Sequence, residues 1–186
     1  MTNSANTAAI PARGSKTYAL TATALMTGVI CILSPMALPI GPVPISLTTF
    51  MIYLAIYILG WKKAAISILL FLLIGFAGLP VFSGFVGGPA KLLGPTGGYL
   101  IGYIPMAVVA GLAIERTAGR LTHLLGMIAG TAVLYALGTA WFCFQANYTL
   151  GAALAVCVFP FIPGDLAKIL LAMTLGPVIR KRVGTI

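Results

Sequence analysis

Acidic side chains are almost absent from this chain: Glu115 and Asp165 are the only two in 186 residues. Histidine occurs once, as His123, and charged residues of either sign make up 7% of the sequence. A soluble domain carries about 25%, so a water-soluble core is excluded. The three cysteines, Cys31, Cys143 and Cys157, lie in apolar stretches at no metal-ligand spacing. They read as small buried hydrophobes, and neither a disulfide nor a metal site is expected. One histidine and two acids supply no nucleophile–base pair, so no catalytic residue is assigned. The P-loop string G-x-x-x-x-G-K-[ST] is also missing, so no nucleotide cradle of that kind is expected. No cofactor is expected.

What is abundant is apolar: 60% of residues are hydrophobic and the mean hydropathy is +1.10. The composition is that of an all-α integral membrane protein. At roughly 20 residues per span, six transmembrane helices take about 120 residues and leave short loops. The apolar segments run over about 18–36, 45–59, 64–79, 98–114 and 124–144, and from Thr149 to just before Arg180-Lys181-Arg182. Pro39, Gly41, Pro42 and Pro44 end the first of them. Residues 1–15, rich in Asn, Ser, Thr and Ala, read as a disordered cytoplasmic tail, and 16–186 as a single six-helix membrane domain. Arg13 and Lys16 before the first apolar run suggest a signal peptide. Ser34-Pro35-Met36-Ala37 is a poor cleavage site, however, so that run is expected to stay as the first span.

The formal net charge is +9. The basic residues stand in small clusters between apolar segments, without interleaved surface aromatics, which argues for a bilayer and against nucleic acid. With the N-terminus inside, Arg13, Lys16, Lys62, Lys63, Arg116, Arg120, Arg180, Lys181 and Arg182 all fall on the inner side. Lys91 alone falls outside, a bias of nine to one. Both termini are therefore expected in the cytoplasm.

Asp165 and Lys168 sit three residues apart within the otherwise uncharged stretch 150–178. A charge in lipid costs roughly 2.5–3.5 kcal/mol on insertion scales, so the two are expected to serve each other, a bound solute, or both. Pro160, Pro163 and Gly164 interrupt the sixth segment just before them. A helix restarted there would present free N–H groups and a positive dipole end, a recurring device for anionic solutes in membranes. The Gly- and Pro-rich connection over 80–97 carries little charge and many apolar residues. It reads as a folded lid at the membrane surface, with simple turn-making as the alternative. In the first segment Ala19, Ala22, Ala24 and Gly28 suggest a small-residue face for close helix approach, within the chain or with a partner subunit.

These motifs resemble the BioY-type biotin transporter component. The resemblance rests on Gly78-Leu79-Pro80-Val81-Phe82, on Gly87-Gly88, on Leu93-Gly94-Pro95-Thr96-Gly97-Gly98-Tyr99-Leu100, on Pro44-Ile45-Ser46-Leu47-Thr48-Thr49 and on Ile162-Pro163-Gly164-Asp165-Leu166-Ala167-Lys168. It covers about residues 17–183. It implies the S-component fold of an energy-coupling-factor vitamin transporter, a multi-pass protein of the prokaryotic cell membrane. The ligand would be biotin, bound near the outer face. The partners would be a transmembrane coupling protein and two cytoplasmic ATPase subunits, with Ala24 and Gly28 at the docking face.

Biotin offers two ureido N–H donors, a ureido carbonyl, an apolar thioether bicycle and a carboxylate tail. On the resemblance, Asp165 accepts the ureido N–H groups and Lys168 pairs the carboxylate, although the residues leave open which charge meets which end. Asn147, Thr96, Thr48 and Tyr99 are expected to add polar contacts, with Phe82 and Phe85 around the bicycle and Gly97 and Lys91 close by. Rival readings are an S component for a different vitamin or small carboxylate solute, an intramembrane enzyme using Asp165 as acid or base, and a purely structural membrane protein.

Overall fold

The structure is a computed structural model that describes residues 16–38, 43–117 and 119–183. The tail assigned to 1–15 lies outside the described residues, as do Pro39, Gly41 and Pro42 of the first break. In chain order the elements are α1 (Lys16–Leu33), β1 (Ala37–Leu38), β2 (Ile45–Ser46), α2 (Thr48–Leu59), α3 (Trp61–Phe76) and α4 (Pro89–Leu93). They continue with α5 (Gly97–Arg116), α6 (Arg120–Ala146), α7 (Leu150–Cys157) and α8 (Ile162–Val183).

Four of these helices, α1, α5, α6 and α8, are long and apolar enough to cross a membrane. The second apolar segment does not begin as a helix. Ile45-Ser46 pairs antiparallel with Ala37-Leu38, because Pro44 cannot donate a backbone hydrogen bond and favours extended geometry around it. The third begins at Trp61 and ends at Phe76, earlier at both ends than its hydropathy suggests. The lysines of its first turn are tolerated there because their stems reach the surface.

α2 is apolar all round and is accordingly the central helix: every residue from Met51 to Tyr57 is buried. Its two tyrosines keep their hydroxyls satisfied, Tyr53 on Met127 O at 3.1 Å and Tyr57 against His123 Nδ1 at 3.2 Å. α5 and α6 form the closest pair. Glycines along their seam let the backbones approach, Gly98 beneath Trp141, Gly126 beneath Ala113 and Gly138 beneath the Tyr99 ring. That is packing by small residues, as in membranes generally. Threonines on α1 and α6 return their hydroxyls to the backbone one turn back, as Thr27 does to Thr23 O at 2.9 Å and Thr131 to Met127 O at 2.9 Å. A hydroxyl so satisfied costs little in an apolar setting.

The basic clusters gather at one end of the bundle. Tyr18 Oη donates to Val183 O at 3.3 Å, joining the start of α1 to the end of α8. The Trp61 N–H donates to Glu115 Oε1 at 2.9 Å, so one of the two acids ties the start of α3 to the last turn of α5. At the opposite end the connection over 80–96 is folded onto the helix ends. Gly84 N–H donates to Pro35 O at 3.1 Å, Gly88 N–H to Gly75 O at 2.7 Å, and Trp141 Nε1 to Gly94 O at 2.9 Å. Gly88 needs its φ of 95° to turn the chain into Pro89, a conformation that glycine alone adopts freely.

Two sequence expectations are corrected here. The small face of α1 does not hold together, because Ala24 and Gly28 are exposed while Ala19 and Ala22 are half-buried. At about 100° per residue, Ala19 and Ala22 fall on the far side of the helix from the other two. Phe82 is no ligand wall either. It is fully buried, edge-on to Phe71 at 5.4 Å between centroids and pressed against Gly75.

Candidate functional site

The interruption of the sixth segment is present: α7 ends at Cys157 and α8 starts at Ile162. Its chemistry differs from the expectation of a bare helix N-terminus. The N–H groups of Phe161 and Ile162 both donate to Val158 O, at 2.9 and 3.3 Å, and the Asp165 N–H donates to Phe161 O at 2.8 Å. Pro163 has no N–H to offer. Three of the N–H groups at the break are thus taken up within the turn, and the expected cluster of free donors does not form. What the break does is aim the first turn of α8 inward, placing Asp165 at 5% exposure.

Asp165 Oδ1 receives Lys168 Nζ at 2.9 Å and Thr49 Oγ1 at 3.3 Å, and Oδ2 receives the Tyr135 hydroxyl at 2.5 Å. Lys168 Nζ also donates to Thr49 Oγ1 at 3.3 Å. Charge-assisted hydrogen bonds of this kind are about twice as strong as neutral ones. The four side chains reach the cluster from three elements: Thr49 from the first turn of α2, Tyr135 from the middle of α6, and the ion pair from α8.

This cluster forms one wall of a small cleft. The remaining walls are Val43, Pro44, Ser46, Tyr99, Tyr103, Leu134, Cys157 and Phe161. One ion pair, several hydroxyls and an otherwise apolar lining make a site for an uncharged polar group attached to an apolar body. Behind the lining, Thr48 accepts from Ser46 Oγ at 2.9 Å and shares a hydrogen bond with Ser34 Oγ at 2.7 Å. That network fixes the β2–α2 corner. Tyr99 is oriented by its hydroxyl contact with Thr139 Oγ1 at 3.0 Å.

Of the residues singled out from the sequence, Asp165, Lys168 and Tyr99 line the cleft together, and Thr48 lies one layer behind it. Thr96, Gly97, Phe85, Lys91 and Asn147 do not line it. Thr96 precedes α5 and Gly97 opens it, with Leu92 O directly where a Cβ would go. Phe85 is 67% exposed at the tip of the turn bridged by Phe82 and Val86. Lys91 is half-buried in α4, and burial holds its ammonium below the usual lysine range. Asn147 ends α6 in the left-handed conformation, a common asparagine role at a helix C-terminus. Thr49, Tyr135 and Tyr103 were not singled out. Tyr135 carries no local signal, being a lone tyrosine in an apolar helix, 30 residues from its carboxylate partner.

The chain is similar to known proteins over almost its whole length. A biotin transporter of Thermotoga maritima is 36% identical over 157 residues, 84% of this chain and 92% of that protein. One from Lactococcus lactis subsp. cremoris is 34% identical over 178 residues, 91% of this chain and 94% of that protein. The crystal structure of the S-component for biotin from an ECF-type ABC transporter superimposes with a TM-score of 0.83 at 34% identity. That match covers 92% of this chain and 95% of that one. A helical membrane bundle with an ion pair at a broken helix thus has a counterpart of the same shape and related sequence. Since residues 3–185 also match the family description, the chain is a member of the BioY family, a family of transporter components and not of enzymes.

Proposed function

We propose that this protein is the biotin-binding S component of an energy-coupling-factor transporter in a prokaryotic cytoplasmic membrane, and that the cleft at Asp165 is its ligand site. The observation that carries the reading is the ion pair, held by Thr49 and Tyr135, on the wall of an otherwise apolar cleft in a chain similar to biotin transporters. Biotin, and no other vitamin, should raise the thermal midpoint of the purified protein, because a ligand that binds only the folded state stabilises it by RT ln(1 + [L]/Kd). A larger rise with another vitamin would reassign the substrate.

The geometry favours one mode of binding over the split assignment. Asp165 and Lys168 are 2.9 Å apart and cannot hold opposite ends of an extended ligand at once. A ureido group presents an N–H beside a carbonyl, and adjacent carboxylate and ammonium groups match that edge. Both charges therefore hold the ureido end, and the tail carboxylate lies elsewhere. A carboxylate has about four lone-pair sites, and three are already used by Lys168, Thr49 and Tyr135. Tyr135 is the neutral donor on Oδ2, where an incoming N–H must share or displace it. Tyr135→Phe is expected to shift biotin affinity by about a hundredfold or less, in keeping with one hydrogen bond to a charged group worth about 1.5–3 kcal/mol. A change beyond a hundredfold in a folded variant would make Tyr135 a direct ligand contact.

Six spans, with both ends inside, fit the arrangement best. α2 is about 18 Å long and α3 about 24 Å at 1.5 Å per residue. Together they form a short in-and-out pair whose shared turn returns to the basic end. Asp165 lies fifteen residues before Arg180 on α8, about 22 Å of helix, which puts the site in the outer half of a 30 Å hydrocarbon core. Lys91→Cys and Arg182→Cys, each placed in a background without the native cysteines, test this with an impermeant thiol reagent on intact cells. Position 91 should label and 182 should not; the reverse would overturn the orientation.

Docking on a coupling protein, driven by a pair of ATPases, would use the exposed Ala24 and Gly28 of α1. Gly28 has open space where a Cβ would stand. Gly28→Trp should leave biotin binding intact and sharply reduce co-purification with the partner subunits. Undiminished co-purification would move the docking face elsewhere.

A further inference from the structure

We propose that the groove between α1, α2 and the end of α8 seats one anionic phospholipid, its acyl chain along the groove and its phosphate at the basic rim. The groove is walled by Leu25, Met26, Val29, Ile58, Leu59 and Val183, with Tyr18 at its mouth. From Tyr18 to Val29 is eleven residues of α1, about 16 Å of helix. Half of a 30 Å hydrocarbon core is about 15 Å, so the groove is as deep as one leaflet.

The mouth is charged on one side only. Lys16 stands two residues before Tyr18, Lys62 three after Leu59, and Arg182 next to Val183; all three are exposed. Among the described residues the one acid at this end is Glu115, whose Oε1 accepts from the Trp61 N–H, so the cations outnumber it. Basic pockets between helices at the cytoplasmic side suit anionic headgroups, each cation contributing about 1 kcal/mol, or about fivefold in affinity. The groove is turned by about a third of a circle from Ala24 and Gly28, counting 100° per residue. Its walls are aliphatic and thioether side chains, apolar enough for an acyl chain. The inference rests on the chain being a membrane protein and is independent of the ligand in the cleft.

The test uses the full-length protein, delipidated in detergent and offered equal amounts of phosphatidylglycerol and phosphatidylcholine, with retained lipid read by native mass spectrometry. Phosphatidylglycerol should be retained preferentially. Lys16→Gln, Lys62→Gln and Arg182→Gln should each lower that preference about fivefold. Leu25→Trp and Val29→Phe fill the groove without touching the charges, and retention should fall with either; two fillers guard against one that misfolds. The thermal midpoint without added lipid and the monodisperse elution should be unchanged in all five variants, which shows that they are folded. Equal retention of the two lipids by the wild-type protein would overturn the proposal, as would preference undiminished in the charge variants. Filled variants that hold phosphatidylglycerol like wild type would also overturn it, by showing headgroup attraction without a seat. So would filled variants that lose partner subunits while keeping the lipid, since the groove would then be a protein dock.

Discussion

Asp165→Asn and Lys168→Ala should each weaken biotin binding by roughly a hundredfold or more while the protein still inserts and purifies. The side chains are 8% and 12% exposed and 2.9 Å apart, so removing one leaves the other without its counter-charge. At a binding interface, losing one partner of a buried hydrogen-bonded charge pair costs about 2–5 kcal/mol, and about 3 kcal/mol is already about a hundredfold. Asparagine retains one acceptor but turns an amide donor toward Lys168 or Tyr135, both donors themselves. Some of the loss will fall on stability, so thermal midpoints accompany the affinities. The two variants also test the mode of binding. If both charges hold the ureido end, Lys168→Ala loses the same factor with biotin as with its neutral carboxamide. A loss confined to the acid would assign Lys168 to the tail. Affinity near wild type in either folded variant would make the pair purely structural.

The second large effect is expected at Gly97. A Cβ there would stand 1.7 Å from Leu92 O and 2.6 Å from Leu92 C, both backbone atoms that no rotamer change can move. Gly97→Ala must displace the α4–α5 corner, and overpacking of that kind costs about 1–3 kcal/mol or more. Tyr99, two residues on, lines the cleft, so biotin binding should weaken together with a lowered thermal midpoint. Gly164 provides the contrast. It lies in the conspicuous Pro-Gly-Asp stretch, yet nothing stands within 4 Å of its Cβ position. Gly164→Ala should change stability by about 0.5 kcal/mol or less. The outcome that contradicts this account is a severe defect at Gly164 with Gly97→Ala silent.

The contrast between those glycines shows what the sequence can and cannot convey. Proline and glycine between two apolar runs announce a helix break, and the break lies within 158–161. What they do not announce is how the break satisfies its own N–H groups, because that depends on Val158 O standing where two donors can share it. The charge pair was legible because a charge in an apolar stretch needs a reason. Its other partners were not, since Thr49 lies 116 residues from Asp165 and a threonine or tyrosine in a membrane helix is ordinary. The α1 face misled because small residues were counted without their angular positions, which separate Ala24 and Gly28 from Ala19 and Ala22. Thr96, Gly97 and Asn147 sit in conspicuous motifs, but the structure employs them at helix ends and a chain corner away from the cleft lining.

The most direct test of the central claim is equilibrium binding of labelled biotin to the purified protein in detergent, with unlabelled vitamins as competitors. The account predicts saturable binding that unlabelled biotin abolishes, that thiamine, riboflavin and pantothenate leave intact, and that Asp165→Asn loses. Absence of saturable binding by folded protein, or displacement by another vitamin at lower concentration than biotin, would contradict it.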